Sequence, residues 1–327
     1  MLKLTALNTN QIHYVNIGLM ALSAGLAFVL PFELFLFSYA ILGPLHYLTE
    51  IGWLHKKNYF TTGKYDFAYL VILCVVVFYF SYYDTTKNNS IYTRVITYAL
   101  LLSLIFVLIK DNLYRVALAF LALIGLLAAK IGFNYFVWIG IFVPTIIHVF
   151  LFTWAFMLFG VLKNKSVSGY LSILALVIIA ILFFVIKAPS LQYEASAYIK
   201  KSYHSFALLN KFLIDFLGLG FQAKDFDGVV YGSNAGFIIM RFIAFAYTYH
   251  YLNWFSKTSV IQWHKQSKVK LGAIAIIWLL SIALYAYDYA LGLKALYFLS
   301  MLHVFLEFPL NIVSFQGIFK SIGFSKG

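Results

Sequence analysis

The chain predicts an all-α protein, a polytopic transmembrane helical bundle of about ten spans in a single integral membrane domain, 1–327. Three observations carry this. The 327 residues are 63% hydrophobic and only 11% charged, whereas a soluble domain is about half apolar and about a quarter charged. Apolar runs recur at lengths near the roughly 20 residues that a helix needs to cross the hydrocarbon core. Short polar segments separate them, and no soluble domain, internal repeat or low-complexity tract interrupts the series.

The first span, about 13–31, follows the polar lead-in MLKLTALNTNQIHY, which lacks a small-residue cleavage site and reads as uncleaved. The second, about 33–55, starts near Glu33 and ends at Lys56 and Lys57. HKKNYFTTGKYD separates it from the third, about 66–83, and YDTTKNNSIYT leads to the fourth, about 92–109. Lys110 and Arg115 border the fifth, about 113–130; the sixth, about 134–162, ends at Lys163 and Lys165. The seventh covers about 168–187. Residues 188–234 then stand apart as an extracytoplasmic or interfacial region, whose middle, FALLNKFLIDFLGLGF, is amphipathic enough to lie along a membrane surface. The last three spans are about 235–256, 271–289 and 293–313.

Basic residues in short loops orient such a bundle. With the N-terminus inside, the inner loops hold Lys56, Lys57, Lys64, Lys110, Arg115, Lys163, Lys165, Lys257, Lys265, Lys268 and Lys270. The short outer loops hold only Lys87, Arg94, Lys130 and Lys294. Both termini are therefore expected in the cytoplasm, with a bacterial inner membrane as the location. The +13 net charge is read as topology and contact with anionic lipid, not as nucleic-acid binding. Cys74, the single cysteine, excludes an intrachain disulfide. A Walker loop, a nucleophile elbow and a paired-cysteine zinc motif are all absent from the sequence.

Against that apolar background, LGPLHYLTEIGWLH in the second span poses a question. Ionisable groups at membrane depth are costly and usually mark function. Four of the eight histidines (His13, His55, His204 and His264) fall near water or headgroups. The other four, His46, His148, His250 and His303, fall inside the second, sixth, eighth and tenth spans. All four spans run in the same direction, and each histidine is at or somewhat past the midpoint. Four imidazoles at one depth suit iron, copper or zinc.

Glu50 follows His46 by four residues and Glu307 follows His303 by four, so each shares a helix face with its histidine. Asn253 follows His250 by three, and Asn311 extends the stripe. The glutamates are read as outer-shell acceptors for histidine N–H groups, directly or through a neighbouring helix. They also fit as direct ligands in a mixed site, or one could pair with Arg241. Pro44 and Pro144 precede His46 and His148 by a few residues and are expected to kink their helices. Tyr249, Trp254 and Thr153 are candidates to line a substrate cavity.

At these residues the chain resembles the Brp/Blh family of membrane β-carotene oxygenases. Gly43-Pro44-Leu45-His46 with Glu50 corresponds to the family's Gly-Leu-Pro-His segment and its aspartate four residues on. Ile147-His148-Val149-Phe150 stands where the family has Ile-His-Phe-Gly, and Tyr249-His250 and Leu302-His303 with Glu307 match its later histidine segments in order. Three positions depart: Thr153 replaces an acidic residue, Trp254 replaces a second histidine, and no proline precedes His303. The resemblance implies a non-haem Fe(II) held by histidines, O₂, and a lipid-soluble polyene cleaved to retinal-type aldehydes. Two other classes fit the residues: a lipid hydroxylase or desaturase with a two-metal site, and a membrane transporter or assembly factor using the His/Glu cluster for ions or protons. The sequence says nothing of oligomeric state.

Overall fold

The computed structural model describes residues 8–82, 89–186, 193–220, 225–257 and 267–323. No strand occurs among them. We number the longer helices α1 (Thr9–Val29), α2 (Pro31–Lys56), α3 (Asp66–Tyr82), α4 (Asn89–Leu108), α5 (Asn112–Ala128) and α6 (Phe133–Asn164). The series continues with α7 (Val167–Val185), α8 (Ala197–Tyr203), α9 (Ala207–Phe216), α10 (Asn234–Ser256), α11 (Lys268–Tyr287) and α12 (Tyr289–Ser321). Every expected span falls on one of these helices. Seven of them are long and apolar enough to cross a membrane. The helices α3 and α5 have 17 residues each. With 23 residues, α10 has the length but not the mean hydropathy, because it carries Arg241, His250 and Asn253.

The helix starts follow from local chemistry. Asn8 and Gln11 form a reciprocal capping box at α1, with both bonds at 2.9 Å. Asp111, Ser166, Ser196, Ser233 and Ser267 accept backbone N–H groups at the starts of α5, α7, α8, α10 and α11. Both prolines singled out in the sequence sit at irregular backbone. In α2, Ser38–Leu42 is a π turn just before Pro44. In α6, Phe136–Phe152 is π-helical with Pro144 inside it. Proline offers no N–H to the preceding turn, and wider i→i+5 pairing is one way a helix absorbs that loss.

The chain divides into two compact units. The first comprises residues 1–46 and 163–293, and the second 47–162 and 294–327. In the first unit α10 is the axis: it buries residues on every face and packs against α1, α7, α9 and the first half of α2. Lipid is as apolar as leucine, so packing and interhelical hydrogen bonds hold such helices together. Tyr249 Oη donates to Asn16 Oδ1 (3.1 Å), as does Ser256 Oγ (3.1 Å), tying α10 to α1. Ser38 Oγ and Thr248 Oγ1 share a hydrogen at 2.8 Å. Arg241 Nε donates to the Phe28 carbonyl (3.2 Å), with its guanidinium over the Phe28 ring.

The described part of the 188–234 region belongs to this unit. It forms α8, α9 and a π turn at Gly228–Gly232. The amphipathic α9 buries Leu209, Phe212, Leu213 and Ile214 and packs on α10. Gly236 at the start of α10 approaches the Val229 and Val230 carbonyls of the π turn so closely that a Cβ would collide with them.

In the second unit α4 packs against α3, α5 and the π-helical stretch of α6. Thr97 Oγ1 meets Tyr135 Oη at 2.9 Å. Tyr297 of α12 meets Ser81 Oγ (3.2 Å) and Tyr92 Oη (3.4 Å). Arg115 forms an ion pair with Asp66, which also accepts the Gly63 N–H at 2.8 Å.

Candidate metal centre

All four histidines singled out in the sequence are buried, none more than 6% exposed. In the first unit, His46 of α2 and His250 of α10 face each other with Nε2 atoms 3.1 Å apart. Their rings are 4.7 Å between centroids at 74°. Pro44 and the π turn set the direction of α2 just before His46. Trp254 presents to His46 at 5.4 Å, nearly perpendicular, and Tyr251 lies 5.2 Å from the same ring. Asn253, a turn beyond His250, is buried with no hydrogen-bond partner for Oδ1 among the described residues.

The second unit repeats the arrangement with different helices. His148, within the π-helical stretch of α6, faces His303 of α12, again with Nε2 atoms 3.1 Å apart and rings at 74°. His148 Nδ1 lies 3.1 Å from Glu307 Oε2. Tyr47 stacks on His303 at 4.2 Å and 23°. Glu50 is buried.

The donor chemistry fits a metal. Two nitrogens each about 2.0–2.1 Å from one ion, at roughly 90–110°, would be about 2.8–3.4 Å apart; each pair is at 3.1 Å. A proton shared between two imidazoles gives a similar distance. Glu307 Oε2 stands 3.1 Å from the far ring nitrogen of His148, a close contact off the line of a good hydrogen bond. A carboxylate beside the far nitrogen of an imidazole is an arrangement that metal-ligating histidines commonly show.

The structure therefore joins His46 with His250, and His148 with both His303 and Glu307. Glu307 reaches the histidine of a neighbouring helix, the indirect route its own-helix spacing had left open. Arg241 uses Nε on the Phe28 carbonyl. Tyr249 places its hydroxyl on Asn16 and stacks on Phe245 at 6.1 Å. Thr153 is buried at the end of the π-helical stretch. Two cavities, of about 490 Å³ beside Asp66, Tyr98 and Arg115 and about 380 Å³ beside Glu33, Tyr198 and Tyr289, are lined by neither Tyr249, Trp254 nor Thr153. His13 belongs to the first turns of α1, His55 to the last turn of α2, and His204 is exposed after α8. His264 lies outside the described residues. Sequence reasoning missed Tyr47 because an aromatic beside a histidine in an aromatic-rich chain carries no signal of its own.

No protein-family model, curated protein or solved structure matches the chain.

Proposed function

We propose that this is a membrane oxygenase in which His46, His148, His250 and His303 form one ligand set for a non-haem iron, acting on an apolar polyene of the carotenoid type. All ten long helices cross the bilayer in this reading, with both termini cytoplasmic. The observation that carries it is the facing of buried imidazoles, Nε2 to Nε2 at 3.1 Å in each pair, with Glu307 Oε2 3.1 Å from His148 Nδ1. The common depth of the four histidines in the sequence supports a single set. When bound, the iron supplies the oxygen chemistry. The chain supplies the rest. The histidines set geometry, Glu307 orients His148, and the apolar helices bring a lipid-soluble substrate from the bilayer and exclude water. The carotenoid itself rests on the resemblance to Brp/Blh proteins.

The test is metal analysis of the purified protein, followed by assay of iron-loaded protein with O₂ and a panel of β-carotene, other carotenoids and unsaturated lipids. A bound metal and a shortened aldehyde product are expected. Consumption of lipid alone would replace the substrate class. Absence of metal under every loading condition would defeat the reading and favour the transporter or assembly-factor alternative.

A further inference from the structure

We propose that α12 carries an internal water-binding site between Glu307 and Asn311, through which Asn311 positions Glu307 on His148. The site's consequence for metal affinity rests on the reading above; the water itself does not.

Asn311 is 3% exposed, and neither Oδ1 nor Nδ2 has a hydrogen-bond partner among the described residues. A primary amide offers two donors and two acceptor sites. Leaving such a group buried and unsatisfied costs about 1–3 kcal/mol, and lipid outside the bundle offers it no partner. Glu307 is four residues earlier, so the two side chains rise from one face with Cβ atoms about 5–6 Å apart. They make no direct hydrogen bond, and Glu307 Oε2 is itself buried without a hydrogen-bond partner among the described residues, 3.1 Å from the His148 ring. Polar ends on one face that fall short of contact are the geometry that a bridging water fills.

Asn311 Oδ1 and Nδ2 with Glu307 Oε2 supply the roughly three partners of a typical buried water. A water held by Asn311 donates to Glu307 and keeps that carboxylate turned to His148.

A density map of the wild-type protein that resolves ordered water should show an oxygen bonded to the Asn311 amide. A metal ion or a direct Glu307–Asn311 bond there would overturn the proposal. Two variants add an independent readout. Asn311→Leu fills the space with apolar atoms, whereas Asn311→Ala leaves room for water. Leu should lower both melting temperature and metal affinity, the latter by about tenfold, and Ala should retain more of both. Simple packing gives the reverse order, because Ala leaves a cavity, and that order would overturn the proposal. A Leu variant with raised melting temperature would show the site to be dry. If the wild-type protein binds no metal, the oxygenase reading fails while the map and the melting order still decide the water.

Discussion

His148 Nδ1 and Glu307 Oε2 stand 3.1 Å apart, joining the π-helical stretch of α6 to α12 inside the second unit. The contact places Glu307 at a histidine other than the one on its own helix. Glu307→Gln keeps the shape but weakens the acceptor. Metal affinity should fall by about 10–100-fold without vanishing. Unchanged affinity in a metal titration would remove the outer-shell role, and complete loss would make Glu307 a direct ligand.

His148→Ala and His303→Ala should each abolish or severely reduce metal content, and the double variant should do little more. Members of one ligand set are strongly non-additive. Wild-type protein should carry one metal per chain; two per chain would mean that each histidine pair binds its own ion. His148→Ala is less clean than its sequence neighbours suggest, since Glu307 can approach the vacated position. His148→Ala/Glu307→Gln is the control.

Trp254 occupies the position where the resemblance puts a second histidine, and its ring lies 5.4 Å from His46. Trp254→Phe should leave metal content near wild type, because a flat ring remains beside His46. Trp254→Ala should lower melting temperature and reduce metal affinity several-fold through loss of packing. Equal metal affinity in all three proteins would show that Trp254 does not support the site.

Gly236→Ala should be strongly destabilising, because the added Cβ meets backbone carbonyls of Val229 and Val230 that cannot rotate away. Gly18→Ala on α1 meets nothing within 4 Å and should be neutral or stabilising by up to about 1 kcal/mol. Melting temperatures of the two variants in one detergent provide the comparison. A tolerated Gly236→Ala would mean that α10 and the π turn are not held this closely.

Much of the fold was legible in the chain. Apolar run length predicted where helices form, since backbone groups in lipid must be satisfied within the segment. Asn8, Asp111 and the serines preceding α7, α8, α10 and α11 marked starts by their capping chemistry. That His46, His148, His250 and His303 fall within helices could be read from the apolar runs that carry them. Partnership could not. Helical spacing says which residues share a face but not which face meets which helix. Only tertiary structure paired His46 with His250 and His148 with His303, moved Glu307 from its own helix's histidine to His148, and set Tyr47 against His303. The reason is that helix rotation and pairing in a bundle follow from close packing among many small contacts, together with the local unwinding at Pro44 and Pro144, and neither leaves a periodic trace in sequence.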